Sequence, residues 1–168
     1  MGLLEIAQNY TPRENQEFGN KKKLIGDAVC QLTLEKVASK KTGKEWIVLK
    51  AEAIHTIPDD KGRETTLEPG DSIDKVYDPE DNDKLQELAD DLFTSGIKYE
   101  NAPTEEMQFA SMKASTDGKL AYYRTWAKDL TPDQKKKYPN NTAGYFQNIK
   151  ILSSSKITQE NSTPQVAF

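Results

Sequence analysis

Features typical of secreted, membrane-bound or metal-dependent proteins are scarce in this 168-residue sequence. The single cysteine, Cys30, excludes an internal disulfide and a cysteine-cluster metal site. No run approaches the roughly 20 apolar residues that span a bilayer. Residues Met1 to Ile6 match neither a secretory signal nor a myristoylation motif. We therefore expect no cofactor, no metal, no membrane partner and a soluble protein of a reducing compartment, the cytoplasm.

Signatures of catalysis are also missing. The sequence has neither a Walker loop nor a Gly-x-Gly-x-x-Gly motif. His55 lies in a strand-like segment without a Ser or Cys nucleophile motif nearby, and Cys30 falls on an apolar face, where a thiol behaves as a small hydrophobe. The acidic stretch Asp78 to Asp83 lacks the spacing and central glycine of an EF-hand loop. We expect a protein that is not an enzyme.

Charge is unevenly distributed along the chain. The net charge is -4, and the aromatic residues are 7 Tyr, 5 Phe and 2 Trp. Residues 1–50 carry +3, residues 51–106 carry -12 and residues 107–168 carry +5. If the two basic segments lie together in the fold, they form a basic face that would attract a polyanion. The alternative is a solvated surface on which the charges have no common role.

The first half of the sequence predicts three strands. From Gly26, apolar residues alternate with polar ones, which is typical of a half-buried strand. The loop Ser39 to Lys44 precedes a second alternating strand, Glu45 to Ile57, so the two form a hairpin. A third, short strand is expected over Asp71 to Tyr77.

The second half predicts a helix and more strands. Leucines and alanine at helical spacing between Leu85 and Leu92, with Gly96 as the C-cap, predict an amphipathic helix. Met107 to Ser115 and Lys119 to Lys128 flank Asp117-Gly118, a strong hairpin signal, and are expected to be paired strands. A short helix capped by Thr131 and a last strand, Tyr145 to Leu152, follow.

This order predicts a mainly β fold: a five-stranded OB-fold-like antiparallel barrel with one helix between strands 3 and 4, an extra C-terminal strand and flexible arms. The expected divisions are an N-terminal arm over 1–22, the OB-fold-like domain over 23–152 and a flexible C-terminal tail over 153–168. A small sandwich and a lipocalin-like barrel have similar strand counts and remain alternatives.

Aromatic and cationic residues alternate in one strand. By period two, Tyr122, Arg124, Trp126 and Lys128 project from one face. Rings that stack on bases, together with cations that hold phosphates, are what single-stranded nucleic acid requires. The alternative is that Leu120, Tyr122 and Trp126 form a buried stripe and Tyr123 faces outward. The functional hypothesis requires the rings and cations of both hairpins to meet on one outer wall of the barrel.

The chain resembles the OB-fold single-stranded DNA-binding proteins of bacteriophages over roughly Lys22 to Leu152. The resemblance rests on the strand from Val29 to Val37, on Lys40-Lys41-Thr42-Gly43-Lys44-Glu45-Trp46, on the helix from Leu85 to Leu92 and on Tyr145-Phe146-Gln147-Asn148-Ile149-Lys150-Ile151. In that family the loop between strands 1 and 2, strands 2 and 3 and the hairpin of strands 4 and 5 line the groove. The residues implied here, with Lys128 added from the alternation, are Lys40, Lys41, Lys44, Trp46, Lys50, Lys119, Tyr122, Arg124, Trp126 and Lys128.

The resemblance implies sequence-tolerant binding of single-stranded DNA in phage DNA replication, recombination or repair, in the cytoplasm of the host cell. Replication or recombination proteins are expected as partners, and an oligomer is compatible with this function. The family often ends in an acidic tail that recruits partners, whereas Ser162 to Ala167 hold no acid. Two alternatives remain: a protein-binding barrel, inhibitor or DNA mimic that uses the acidic 51–106 segment, and a structural part of the virion.

Overall fold

The computed structural model describes residues 22–40, 42–139, 141 and 143–165. Five strands and three helices lie within them, followed by a single 3-10 turn at Ser154–Lys156. In chain order they are β1 (Gly26–Ala38), β2 (Glu45–Ile57), β3 (Ser72–Tyr77), α1 (Asn82–Thr94), α2 (Glu105–Thr116), β4 (Leu120–Asp129), α3 (Pro132–Lys137) and β5 (Tyr145–Leu152).

The strands form one antiparallel sheet in the order β3-β2-β1-β4-β5, which bends into a nearly closed barrel like that of an OB-fold. The long strand β1 is central: β2 pairs along its whole length, and β4 pairs with its first half, from Gly26 to Gln31. The mainly β, OB-fold-like prediction is confirmed.

The segment that precedes β1 links the two edge strands of the barrel. The side-chain amide of Gln147 in β5 accepts a hydrogen bond from the Leu24 N–H and donates one to the Leu24 carbonyl, each at 2.8 Å. The ammonium group of Lys22 pairs with Asp71, just before β3, at 2.9 Å. Both edges are therefore tied to the same short piece of chain.

The barrel interior is filled by the residues that the alternation predicts. Ala28, Cys30, Leu32 and Leu34 of β1 are buried, and β2 contributes Ile47, Leu49, Ala51 and Ala53. Leu88 and Leu92 bring the apolar side of α1 onto this core, and the amphipathic helix is confirmed. Burial raises the pKa of the Cys30 thiol to about 12, so this cysteine is a packing residue.

One predicted strand is wrong, because residues 105–116 form helix α2. Thr104 caps this helix by accepting a hydrogen bond from the Met107 N–H at 3.1 Å, and Glu105 and Glu106 lie in its first turn, where the helix dipole favours acids. These capping signals and the helix-forming residues between them outweigh the weak hydrophobic pattern.

Asp117-Gly118 accordingly connects a helix to a strand and is not a hairpin turn. The Asp117 carboxylate accepts a hydrogen bond from the Leu34 N–H at 2.9 Å, and Gly118 has a φ of 83°, which favours glycine. Two helices, not one, therefore separate strands 3 and 4. The strand Tyr145–Leu152, expected as an addition to the barrel, is its fifth strand.

The chain after β5 lies against the barrel as far as Gln165. The Gln165 N–H donates to the Ile54 carbonyl at 2.7 Å, and its side-chain oxygen accepts from the Thr56 N–H at 2.8 Å. The boundaries at 22 and 152 stay predictions, and nearly all of the predicted N-terminal arm lies outside the described residues.

Candidate nucleic-acid interface

The four residues predicted to share a face of β4 lie on its outer side, where Arg124, Trp126 and Lys128 are exposed but Tyr122 is covered. They alternate with Ala121, Tyr123 and Thr125, which are buried. The alternative in which Tyr123 faces outward is therefore wrong, because Tyr123 is fully buried and belongs to the core. Trp126 is 42% exposed and is the most exposed tryptophan or tyrosine side chain of the described residues.

Tyr122 and Arg124 are held by a single carboxylate on the neighbouring strand. Asp27 accepts from the Arg124 Nε and Nη2 atoms at 2.9 Å each, and from the Tyr122 hydroxyl at 3.0 Å. Burial, followed by this hydrogen bond, raises the pKa of Tyr122 to about 12. Tyr122 is 7% exposed, with the Lys156 ammonium 5.9 Å from its ring centre. The prediction that Tyr122 offers its ring to a base is therefore wrong for this structure, whereas half of the Arg124 side chain is accessible.

Strand β5 extends this outer surface with residues outside the predicted set. The register places Lys150 opposite Arg124, Asn148 opposite Trp126, and Phe146 opposite Lys128. Lys128 and Lys150 are exposed, and in the described part of the chain neither forms an ion pair. The same period-two alternation in β5 would have indicated Phe146 and Lys150, but the register that brings them beside Trp126 could not be read from the sequence.

The connection between β4 and β5 adds a second aromatic group and more positive charge. Tyr138 packs edge-on against Phe146, with ring centres 5.3 Å apart and planes at 82°. The Lys137 ammonium lies 5.5 Å from the Tyr138 ring centre. A capping box between Thr131 and Gln134 starts α3, whose last turn consists of Lys135, Lys136 and Lys137.

We call this surface the β4–β5 face. Its members are exposed or half-exposed cations and rings on two adjacent strands and their connection: Arg124, Trp126, Lys128, Lys135, Lys136, Lys137, Tyr138, Phe146 and Lys150. Three carboxylates lie close to it in the chain or the sheet: Asp27, already bound to Arg124, Asp129 at the end of β4, paired with Lys23, and Asp133 in the first turn of α3. The face is therefore strongly basic within a protein of net charge -4.

Trp46 and Lys44 form a separate cluster at the other end of the β1–β2 hairpin. The Lys44 ammonium lies 4.9 Å from the Trp46 ring centre, 2.7 Å from Glu80 and 3.1 Å from Asp78. Hydrogen bonds to Glu80 and then Asp78 raise the pKa of Lys44. The Trp46 indole N–H is buried without a hydrogen-bond partner in the described part of the chain. Both predicted site residues are thus already covered by this protein's own groups.

The other predicted cations are scattered. Lys50 is exposed but pairs with Glu35 at 3.1 Å. Lys40 and Lys119 are exposed, in the β1–β2 loop and just before β4 respectively. Lys41 lies outside the described residues. Of the ten predicted residues, the structure brings Tyr122, Arg124, Trp126 and Lys128 together on one strand.

The two tryptophans lie at opposite ends of β1. Trp46 pairs with Val37 near the end of that strand, whereas Thr125, the neighbour of Trp126, pairs with Gly26 at its start. At about 3.3 Å per residue, some 36 Å of β1 separates these positions. The functional hypothesis requires the rings and cations of both hairpins to share one wall of the barrel, and the structure does not bring them together.

A cleft lies beside Trp126, between β4 and the connection from β2 to β3. It has two lobes of about 520 and 270 Å³. The larger is lined by Trp126 and Arg124 on one side and by residues 59–65 on the other, and the smaller reaches Tyr122 and Lys156. The Arg63 Nε atom donates to Asp59 across 2.7 Å within this second wall.

Neither a metal-binding cluster nor a membrane-spanning helix is found among the described residues. Among the residues that the structure describes, no group of three or more His, Cys, Asp or Glu side chains is arranged to hold a metal ion. None of the helices in these same ranges has the length and apolar character that crossing a bilayer requires.

No protein-family model matches this chain, and no curated protein matches it with significance.

Proposed function

We propose that this protein binds single-stranded DNA with little sequence preference through the β4–β5 face, and that it does so without catalysing a reaction. The observation that carries the proposal is the exposed indole of Trp126 with Arg124 and Lys128 on the same side of β4 and Lys150 across from it. By the resemblance to phage proteins, we propose DNA replication, recombination or repair as the setting.

The chemistry of the face suits an unpaired strand. Each base that stacks on an aromatic ring contributes about 1–3 kcal/mol, and every base has a ring face, so stacking tolerates any sequence. Trp126 and the Tyr138–Phe146 pair supply two such places. In a duplex the base faces are covered by their neighbours, so the rings would find nothing to stack on.

The lysines of the face supply the phosphate contacts. Lys128 and Lys150 have no competing carboxylate in the described ranges, and α3 adds three adjacent lysines. Neutralising phosphates releases counterions, so the affinity falls as salt rises. The acidic surface of α1, which includes Asp83 and Asp90, repels the DNA backbone and so favours its binding at the β4–β5 face.

A protein-binding role for the acidic segment is the second candidate. Phe93 on α1 is 84% exposed and follows Asp90 by three residues, so it presents an apolar side chain beside exposed acids. Changing Asp83 and Asp90 to asparagine tests this role. Asp91 is unsuitable, because it accepts from the Tyr77 hydroxyl at 2.5 Å and pairs with Lys75, which joins α1 to β3.

The proposal is tested by titrating the full chain against labelled oligo-dT, duplex DNA and single-stranded RNA at two salt concentrations. Oligo-dT should bind more tightly than duplex, and its affinity should fall with salt. Lys128→Ala with Lys150→Ala should weaken binding several-fold, whereas Lys84→Ala on α1, the matched surface control, should leave it unchanged. Absence of oligo-dT binding at low salt would contradict the proposal.

A further inference from the structure

The cleft beside Trp126 differs in charge from the β4–β5 face that it adjoins. The volume of its larger lobe, about 520 Å³, lies in the range of small-molecule sites, roughly 300–1,000 Å³. Its two arginines are already bound: Arg124 by Asp27, and Arg63 by Asp59. The third cation of this lining, Lys61, forms no ion pair in the described ranges, so the lobe carries three cations against the carboxylates of Asp27, Asp59, Asp60 and Glu64. Carboxylates therefore outnumber cations in the cleft, whereas Lys128 and Lys150 on the neighbouring strands are unopposed.

Two more carboxylates line this lobe. Asp60 and Glu64 belong to its outer wall, and in the described ranges no side chain donates a hydrogen bond to either of them. Unpaired carboxylates repel phosphate, so the sugar–phosphate backbone of a bound strand is expected to follow the lysines of the β4–β5 face and avoid the cleft. They accept hydrogen bonds from neutral amino groups, however.

The edge of a nucleobase is the part of single-stranded DNA that fits this lining. Cytosine presents a 4-amino group, whereas thymine has an oxygen acceptor at the same position, and carboxylates recognise the cytosine amino group. Trp126 lines the same lobe, so a base turned out of the bound DNA at this place would lie beside the indole ring. Thymine would instead place its oxygen near Asp60 or Glu64, which is repulsive.

We propose that the cleft receives one unpaired base that carries an exocyclic amino group, and that Asp60 and Glu64 are its acceptors. The proposal rests on the proposed function, because it places one base of the bound strand. It adds a composition preference to an interface whose other contacts do not distinguish sequences.

The test compares the affinities of oligo-dC and oligo-dT of equal length, at one salt concentration near neutral pH. The wild-type protein should prefer oligo-dC by about 3- to 10-fold, the effect of one or two added hydrogen bonds. In the Asp60→Ala, Glu64→Ala double variant both affinities should rise, because two negative charges are removed, but the ratio should fall to about one.

Asp133→Ala is the matched control, since Asp133 lies on α3 and does not line the cleft. It should raise both affinities and leave the ratio unchanged. Equal wild-type affinities for the two oligonucleotides, or a ratio that survives in the double variant, would overturn this inference while leaving the proposed function intact. Failure to bind either oligonucleotide would overturn both.

Discussion

The two tryptophans both lie on the outside of the barrel, but the β1–β2 end and the β4–β5 face surround them differently. At the β1–β2 end, Lys44 is bound to Asp78 and Glu80 and lies over the Trp46 ring. On the β4–β5 face, Trp126 is more exposed, and Lys128 and Lys150 have no carboxylate partner in the described ranges. Similar residue types thus stabilise the fold in one place and remain accessible in the other.

The difference shows that residue type and spacing do not define a binding surface by themselves. A cation already paired with two carboxylates must lose those pairs before it can bind a phosphate, so much of the electrostatic gain is cancelled. A lysine without such a partner releases counterions when it binds a phosphate and loses no ion pair. Substitutions of the tryptophans and of the lysines should therefore affect the two regions differently, and substitutions of Asp27 and Tyr122 should change the β4–β5 side alone.

The largest expected effect concerns the tryptophans. Trp126→Ala should weaken oligo-dT binding about 5- to 150-fold, equivalent to the roughly 1–3 kcal/mol of one stacked base, with little change in melting temperature. Trp46→Ala should lower the melting temperature and leave the affinity for oligo-dT nearly unchanged, because that ring is half-buried against Lys44. Anisotropy titrations and thermal melts measure both effects. A lower melting temperature with unchanged affinity for Trp126→Ala would mark Trp126 as a packing residue.

The next effect concerns phosphate contacts. Replacing Lys135, Lys136 and Lys137 by glutamine should reduce the slope of log affinity against log salt by about 2, since each phosphate contact on a single strand contributes about 0.7. Lys44→Gln, which removes a lysine already paired with Asp78 and Glu80, should leave the slope unchanged. Equal changes in the two variants would mean that both regions bind phosphate.

Asp27→Asn should change the affinity for oligo-dT less than the previous variants do, and should raise it. It frees Arg124 from its two-atom ion pair and removes a negative charge beside the β4–β5 face, so oligo-dT should bind a few-fold more tightly. The free energy of unfolding should fall by at most about 1 kcal/mol, since Arg124 is half exposed and solvent screens the ion pair. Isothermal titration and urea unfolding measure the two changes. Weaker DNA binding would show instead that Asp27 orients Arg124 for the phosphate.

The smallest effect concerns pH. The pKa of Tyr122 is raised from 10.0 to about 12, so the folded state favours its neutral form. This stability is fully present below pH 10 and is lost as pH rises towards 12. Tyr122→Phe should make the alkaline fall in unfolding free energy shallower by at most about 1.4 kcal/mol per pH unit. Urea unfolding across this range measures it, and an identical fall in both proteins would contradict burial of Tyr122.

Local patterns predicted much of the barrel. The extent of β2, the buried residues of β1 and the exposed residues Arg124, Trp126 and Lys128 of β4 follow from period-two alternation, which depends on neighbours along the chain. Helix α2 was missed because its apolar residues have no clear period and Asp117-Gly118 also resembles a hairpin turn. Short segments of this kind fit a strand or a helix equally well.

The candidate site was predicted less completely, because its chemistry depends on distant residues. Lys44 meets Asp78, 34 residues away, and Arg124 meets Asp27, 97 residues away. These ion pairs, and the register that brings Lys150 opposite Arg124, are set by the packing of the whole barrel. A single sequence shows which residues are cationic, but it does not show which cations are already paired.

The central claim is that single-stranded DNA binds at Trp126 and not at Trp46. Because the chain has two tryptophans, each single-tryptophan variant reports on one region during a titration with oligo-dT. The Trp46→Phe protein, which retains Trp126, should show strong fluorescence quenching that saturates and is reversed by salt. The Trp126→Phe protein should show little. Strong quenching in the Trp126→Phe protein, with none in Trp46→Phe, would contradict the account.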